Sequence, residues 1–185
     1  MKKLLLLSLL LSAMTAMAQD FELNQEGAYE KKQVVEVNDA SAIILYERAI
    51  EALSDWTGPD GRSKAGIDYS EKETGTVIYK GRFSLGFKNI FLGEGWSRYA
   101  NFILKVRCKD GRAQVSVTVP SILAIHTSNG QIATSNLTGL IDAVKNAKGK
   151  KHERGIALLE TIKESVDILV GSMTKKLQTN NNDDF

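Results

Sequence analysis

From Asn101 to Val119 polar and apolar residues alternate almost without interruption, and one Asp110-Gly111 pair divides the run in two. Alternation with a period of two marks a strand with one wet face and one dry face. Asp-Gly is a preferred centre for a two-residue hairpin turn, whose type I′ form needs positive φ at both positions. With the turn there, Lys109 opposes Arg112, Cys108 opposes Ala113 and Arg107 opposes Gln114. One face then collects Phe102, Leu104, Val106, Cys108, Ala113, Val115, Val117 and Val119. The other collects Asn101, Ile103, Lys105, Arg107, Lys109, Arg112, Gln114, Ser116 and Thr118. A slip of one residue mixes the two sets, so the register is strongly specified. The chain must therefore build an antiparallel sheet, apolar on one side and cationic on the other.

Other segments supply further strands and the cover for the apolar side. "TGTVIYKGRFSLGF" alternates Val77, Tyr79, Gly81, Phe83 and Leu85 against Ile78, Lys80, Arg82 and Ser84, and "QVVEV" (33–37) is a short β-type run. Asn38 and Asp39 offer N-cap oxygens to a helix in which Ile43, Tyr46, Ile50 and Leu53 share a face, and Pro59 and Gly61 of "TGPDGR" stop it. After Pro120 the pattern weakens to one more apolar piece, a polar loop, a brief helix in "LIDAVKNA" and a basic linker, "KGKKHER". Ile156, Leu159, Ile162, Val166, Leu169, Met173 and Leu177 then step along a long amphipathic helix. The expected class is α+β: an antiparallel sheet of about five strands with two main helices packed on one face, the long one C-terminal.

The first residues have the three parts of a secretory signal: Lys2 and Lys3, the apolar run Leu4 to Leu11, and the small-x-small site Ala16-Met17-Ala18. That run is shorter than the ~20 residues a spanning helix needs, so cleavage after Ala18 leaves no transmembrane segment. The signal is of the style used by Gram-negative bacteria, and the expected destination is the periplasm or secretion. The expected organisation is a signal peptide at 1–18, a flexible leader at 19–32, one α+β domain at 33–178 and a disordered tail at 179–185. Lys2 and Lys3 leave with the signal, so the 24 Lys+Arg become 24 − 2 = 22, against 22 Asp+Glu. A neutral mature chain has no bulk affinity for nucleic acid or anionic membrane, and no nucleic-acid partner is expected. A single cysteine, Cys108, forms no internal disulfide, and its place on the apolar face makes it a buried small hydrophobe.

The helix ending in "SDW", the strand "KETGTVIYKGRF" and above all the hairpin "LKVRCKDGRAQVSV" resemble the exported bacterial domain-of-unknown-function 4468 family, over roughly Ser41 to Val119. The resemblance implies a fold like one half of the TATA-binding protein. Ala113 stands where the family tends to an aromatic, and Tyr79 where it has glycine. The family has no assigned reaction, so the resemblance carries over no catalytic residue.

Chemistry-bearing constellations are scarce. His126 and His152 stand in no ligand spacing, and there is no nucleophile elbow or phosphate-cradling loop, so no catalytic, cofactor or metal residue is assigned. Glu71 and Glu73 share a strand face but read as solvated carboxylates. "GEGWS" reads as a turn, and His152 as part of the basic linker. The candidate interaction residues are the outward cations Lys80, Arg82, Lys105, Arg107, Lys109 and Arg112, together with Phe87, Phe91 and Trp96 in the glycine-bracketed connection 86–96. The expected function is that of an exported, non-enzymatic domain that binds or scaffolds an envelope protein or glycan. The alternatives are a small periplasmic enzyme or ligand-binding protein with a pocket near 86–96, and an anionic-polymer binder that uses the basic sheet face.

Overall fold

The computed structural model describes residues 22–54, 66–91 and 94–179, with the side chains of 87–91 and 94 outside that description. The signal peptide, the start of the leader, the "TGPDGR" helix stop and the end of the tail lie outside the described residues.

The elements run β1 (Tyr29–Glu36), α1 (Ala42–Ser54), β2 (Gly66–Glu71), β3 (Thr76–Phe91), β4 (Glu94–Lys109), β5 (Arg112–His126), β6 (Ile132–Asn136), α2 (Leu137–Asn146) and α3 (Lys150–Gln178). All strands pair antiparallel in one sheet, in the order β1-β5-β4-β3-β2, with β6 also paired to β5. The architecture is the expected one, with a sixth strand and a third helix. β1 starts at Tyr29, so the last four residues of the expected leader belong to the sheet.

The central hairpin has the register read from its sequence, from Lys109↔Arg112 out to Ile103↔Thr118. All eight residues of its expected dry face are buried, none more than 4 % exposed. They meet Leu45, Ala49 and Leu53 of α1, and Ile162, Val166, Val170 and Met173 of α3, in one continuous core. Burial of this contiguous apolar area is what drives the sheet and helices together.

The hairpin turn differs from the expected type. Gly111 has φ 74°, but Asp110 is not in the left-handed region. Positive φ at the second central residue alone is the sign pattern of a type II turn. Tertiary bonds account for the choice. Asp110 Oδ1 accepts from Ala42 N at 2.8 Å, Gly111 N donates to Ala40 O at 2.9 Å, and Val37 N donates to Gly111 O at 2.9 Å. The turn thus caps α1 from across the fold. The expected caps, Asn38 and Asp39, lie further upstream, and the local cap is Ser41, whose Oγ accepts from Ile44 N at 3.4 Å. Asp110→Ala removes a charged cap and is expected to lower the unfolding free energy by about 1 kcal/mol, read by urea denaturation.

α1 is also rotated relative to the expected stripe. Leu45 and Ala49 are fully buried, Tyr46 and Ile50 are half-buried, and Ile43 is 50 % exposed. A small Ala49 against the sheet lets the helix approach closely, and Ile43 falls outside the contact in the first turn.

Proline in a central strand removes a ladder donor and survives only at an irregularity. Pro120 sits at one. Asn101 pairs with Ser121 and Ile103 with Thr118, so Val119 and Pro120 together oppose Phe102. The extra residue shifts the parity of β5. Odd residues up to Val119 face the core, and Ile122 takes that role afterwards. The same point divides the outer edge of β5: β1 pairs with Arg112–Val119 and β6 with Ser121–Ile125. β5 therefore continues well past the proline, where the sequence pattern fades because its parity has changed.

The basic segment expected as a linker forms the first turns of α3 from Lys150 onward. His152 Nδ1 donates to the Val144 carbonyl at 2.9 Å, closing the end of α2. Gly155 makes the close crossing possible, because a Cβ there would lie 2.4 Å from Val144 Cγ2. At the other end, Arg48 Nη1 donates to the Leu177 carbonyl at 2.8 Å and ties α1 to α3.

Candidate functional site

The side of the sheet away from the helices is covered by no described element. Its side chains follow from the ladder register as rows across the strands. One row runs Lys32, Ser116, Lys105, Ile78, Tyr69, and the next runs Val34, Gln114, Arg107, Thr76, Glu71. Above them lie Glu30, Thr118, Ile103 and Lys80, then Ser121, Asn101 and Arg82. Below them lie Glu36, Arg112 and Lys109. All six expected cations share this open face.

Their partners are unequal. Lys80 Nζ is 2.9 Å from Asp68 Oδ2, and Arg82 lies over the Tyr99 ring at 5.8 Å from its centroid. Lys105, Arg107, Lys109 and Arg112 make no ion pair with any described residue. Acidic groups lie at the margins: Glu30 and Glu36 on β1, Asp68 and Glu71 on β2. Glu30 accepts from Ser116 Oγ at 3.1 Å and pairs with Lys32 at 2.8 Å. Burial pushes its carboxyl pKa up, but these hydrogen bonds and the Lys32 charge outweigh that and leave it lowered. The centre of the face is thus positive and its edges mixed. Lys109 and Arg112 are direct cross-strand partners, and like charges in that position destabilise a sheet.

Where β5 bulges, Lys80, Arg82, Asn101, Ile103 and Pro120 line a shallow depression of about 350 Å³. Asn101 Nδ2 donates to Ser121 Oγ at 2.9 Å beside it. Tyr99, Asn101 and Pro120 were not among the expected site residues; a proline inside an alternating run was their signal.

The connection expected at 86–96 is instead the end of the β3–β4 hairpin. Phe87 opposes Ser97 and Phe91 opposes Glu94 in the ladder, with Gly86 at φ 87° in a bulge just before them. The hydrophobic side chains of that stretch up to residue 92 lie outside the description. Trp96 does not join the cations. It belongs to the helix-side parity of β4 and meets His126 edge-on, with centroids 4.9 Å apart. Glu71 ends β2 while Glu73 lies in the following turn, so they do not share a strand face. Glu71 Oε2 instead accepts from Thr74 Oγ1 at 2.7 Å. Among the described residues no His, Cys, Asp and Glu group has the make-up of a metal site, and no helix is long and apolar enough to cross a membrane.

Cys108 is buried, and desolvation pushes its thiol from an ordinary 9.0 to about 11. The unfolded chain therefore gives up this proton first. The thiol's contribution to stability is intact below about 9 and is lost as pH climbs toward about 11. A disulfide-exchange reagent at pH 8 is expected to leave the folded thiol unmodified and to label it on unfolding.

Residues 32–122 match the family model described as "Domain of unknown function (DUF4468) with TBP-like fold". This segment belongs to the DUF4468 family. The DUF4468 segment runs from within β1 to Ile122 and contains α1, the central hairpin and the whole cation set. Two solved structures share the fold more widely. A DUF4468 family protein from Bacteroides ovatus ATCC 8483 has a TM-score of 0.59 at 14 % identity, covering 88 % of this chain and 94 % of that one. A TBP-like protein from Parabacteroides distasonis ATCC 8503 has a TM-score of 0.59 at 13 % identity, covering 87 % and 99 %. No curated protein matches the chain. Within the DUF4468 segment, the Lys-Asp-Gly-Arg turn has a structural use, because its aspartate caps α1.

Proposed function

We propose that the protein is an exported, non-enzymatic binding domain that holds an anionic partner of the cell envelope against the open face of its sheet. The observation that carries this reading is the central group Lys105, Arg107, Lys109 and Arg112, unpaired with described residues and including one like-charged cross-strand pair. Folding gains nothing from that arrangement, and a sequence that tolerates a local cost does so most often at a site of use. The N-terminal signal supports export. A small-ligand reading has the Pro120 depression and its mostly apolar lining in its favour, but the depression is shallow and ligand sites are more enclosed.

In intact cells, a photoreactive side chain at Lys105 is expected to give adducts that are absent when the probe replaces Glu160, which is exposed on α3. Adducts from the Glu160 position alone would contradict the reading.

A further inference from the structure

Resting on that reading, we infer that the open face takes a linear carboxylate-bearing polysaccharide laid along β4. Lys105, Arg107 and Lys109 occupy alternate positions of one strand, so they repeat about every 6.7 Å and extend over about 13 Å. A single carboxylate or phosphate does not reach all three. A chain with charges along its length does, and each exposed contact contributes little alone, so affinity comes from their number.

The neighbouring strand determines which chain. Beside the cation ladder, β5 presents Gln114, Ser116, Thr118 and Ser121 on the same face, in register with Arg107, Lys105, Ile103 and Asn101. Ser116 hydroxyl is engaged by Glu30 and Ser121 accepts from Asn101, while no hydrogen bond of the Gln114 or Thr118 side chain appears among the described residues. Cations flanked by neutral hydroxyl and amide groups match a ligand with both carboxylates and hydroxyls. Single-stranded nucleic acid calls for aromatic platforms between the cations. Here the intervening positions are Ile78, Thr76 and Gln114, Tyr69 is at the outer edge, and Tyr99 is covered by Arg82. A protein partner calls for a buried apolar or aromatic anchor, and the centre of this face offers only the half-buried Ile78 and Ile103.

The test is calorimetric titration of the purified protein with size-defined oligogalacturonates, with neutral dextran, oligo-dT and polyglutamate in parallel. Oligogalacturonate affinity is expected to rise with chain length and fall with added salt, and dextran not to bind. Lys105→Ser with Arg107→Ser is expected to weaken it about tenfold. Gln114→Ala with Thr118→Ala is expected to weaken oligogalacturonate but not polyglutamate. Equal affinity for polyglutamate, or tighter binding of oligo-dT, overturns the polysaccharide assignment. If oligogalacturonate fails while the Lys105 probe still captures a partner in cells, the polysaccharide is wrong and the binding face stands. If both fail, the face itself is wrong.

Discussion

Replacing Phe102 with alanine is expected to lower the unfolding free energy by about 3–5 kcal/mol. Phe102 is 1 % exposed at the middle of β4. Its ring stacks between Tyr79, at 6.2 Å and 19°, and Phe83, at 5.8 Å and 20°. It is also the residue that Val119 and Pro120 jointly oppose, so its loss opens a cavity under an irregular stretch of β5. Domains of this kind are stable by about 5–15 kcal/mol, so the variant is left with little margin. Phe102→Leu keeps most of the volume and is expected to recover much of the loss. Urea unfolding of both variants checks this, and a loss below about 1 kcal/mol for the alanine would place the ring outside the core.

The second large effect is expected at Gly75, in the turn between β2 and β3. Its φ is 61°, and a Cβ there would lie 2.6 Å from the Cys108 carbonyl oxygen. The two segments approach this closely because Cys108 N donates to Gly75 O at 2.8 Å. Alanine at this position meets both a left-handed backbone and a backbone contact that does not yield, for a loss of about 2–4 kcal/mol. Gly111 is the control. It has φ 74° but open space around a new Cβ, so Gly111→Ala is expected to cost only about 1–2 kcal/mol. Equal losses at the two glycines would remove the close approach as the cause.

The parts of the molecule legible in the sequence are those where one local rule acts alone. The hairpin from Ile103 to Thr118 is regular, and its dry face must be buried, so pairing and orientation both follow from alternation. α3 is long enough for its stripe to be unambiguous, and six of its seven expected positions, Leu159 to Leu177, are buried, with Ile156 half-buried. The failures occur where distant segments decide. Asp110 is pulled from a type I′ turn by Ala42, a partner 68 residues away. The continuation of β5 is hidden because the bulge at Pro120 exchanges its faces. The Phe87–Trp96 stretch looks like a loop because glycines bracket it, although Gly86 serves a bulge within one long hairpin. In the candidate site the cations were legible because they belong to regular alternation, four of them in that hairpin and Lys80 and Arg82 in β3. Tyr99 and the depression were not, since only the register across β3, β4 and β5 brings their residues together.

Arg107→Ser combined with Arg112→Ser tests the division of the sheet into a folding face and a free face. Both arginines are exposed on the uncovered side and neither pairs with a described acid. The double variant should unfold within about 1 kcal/mol of the parent in urea. Failure of the purified variant to fold would contradict the assignment of these side chains to the open face.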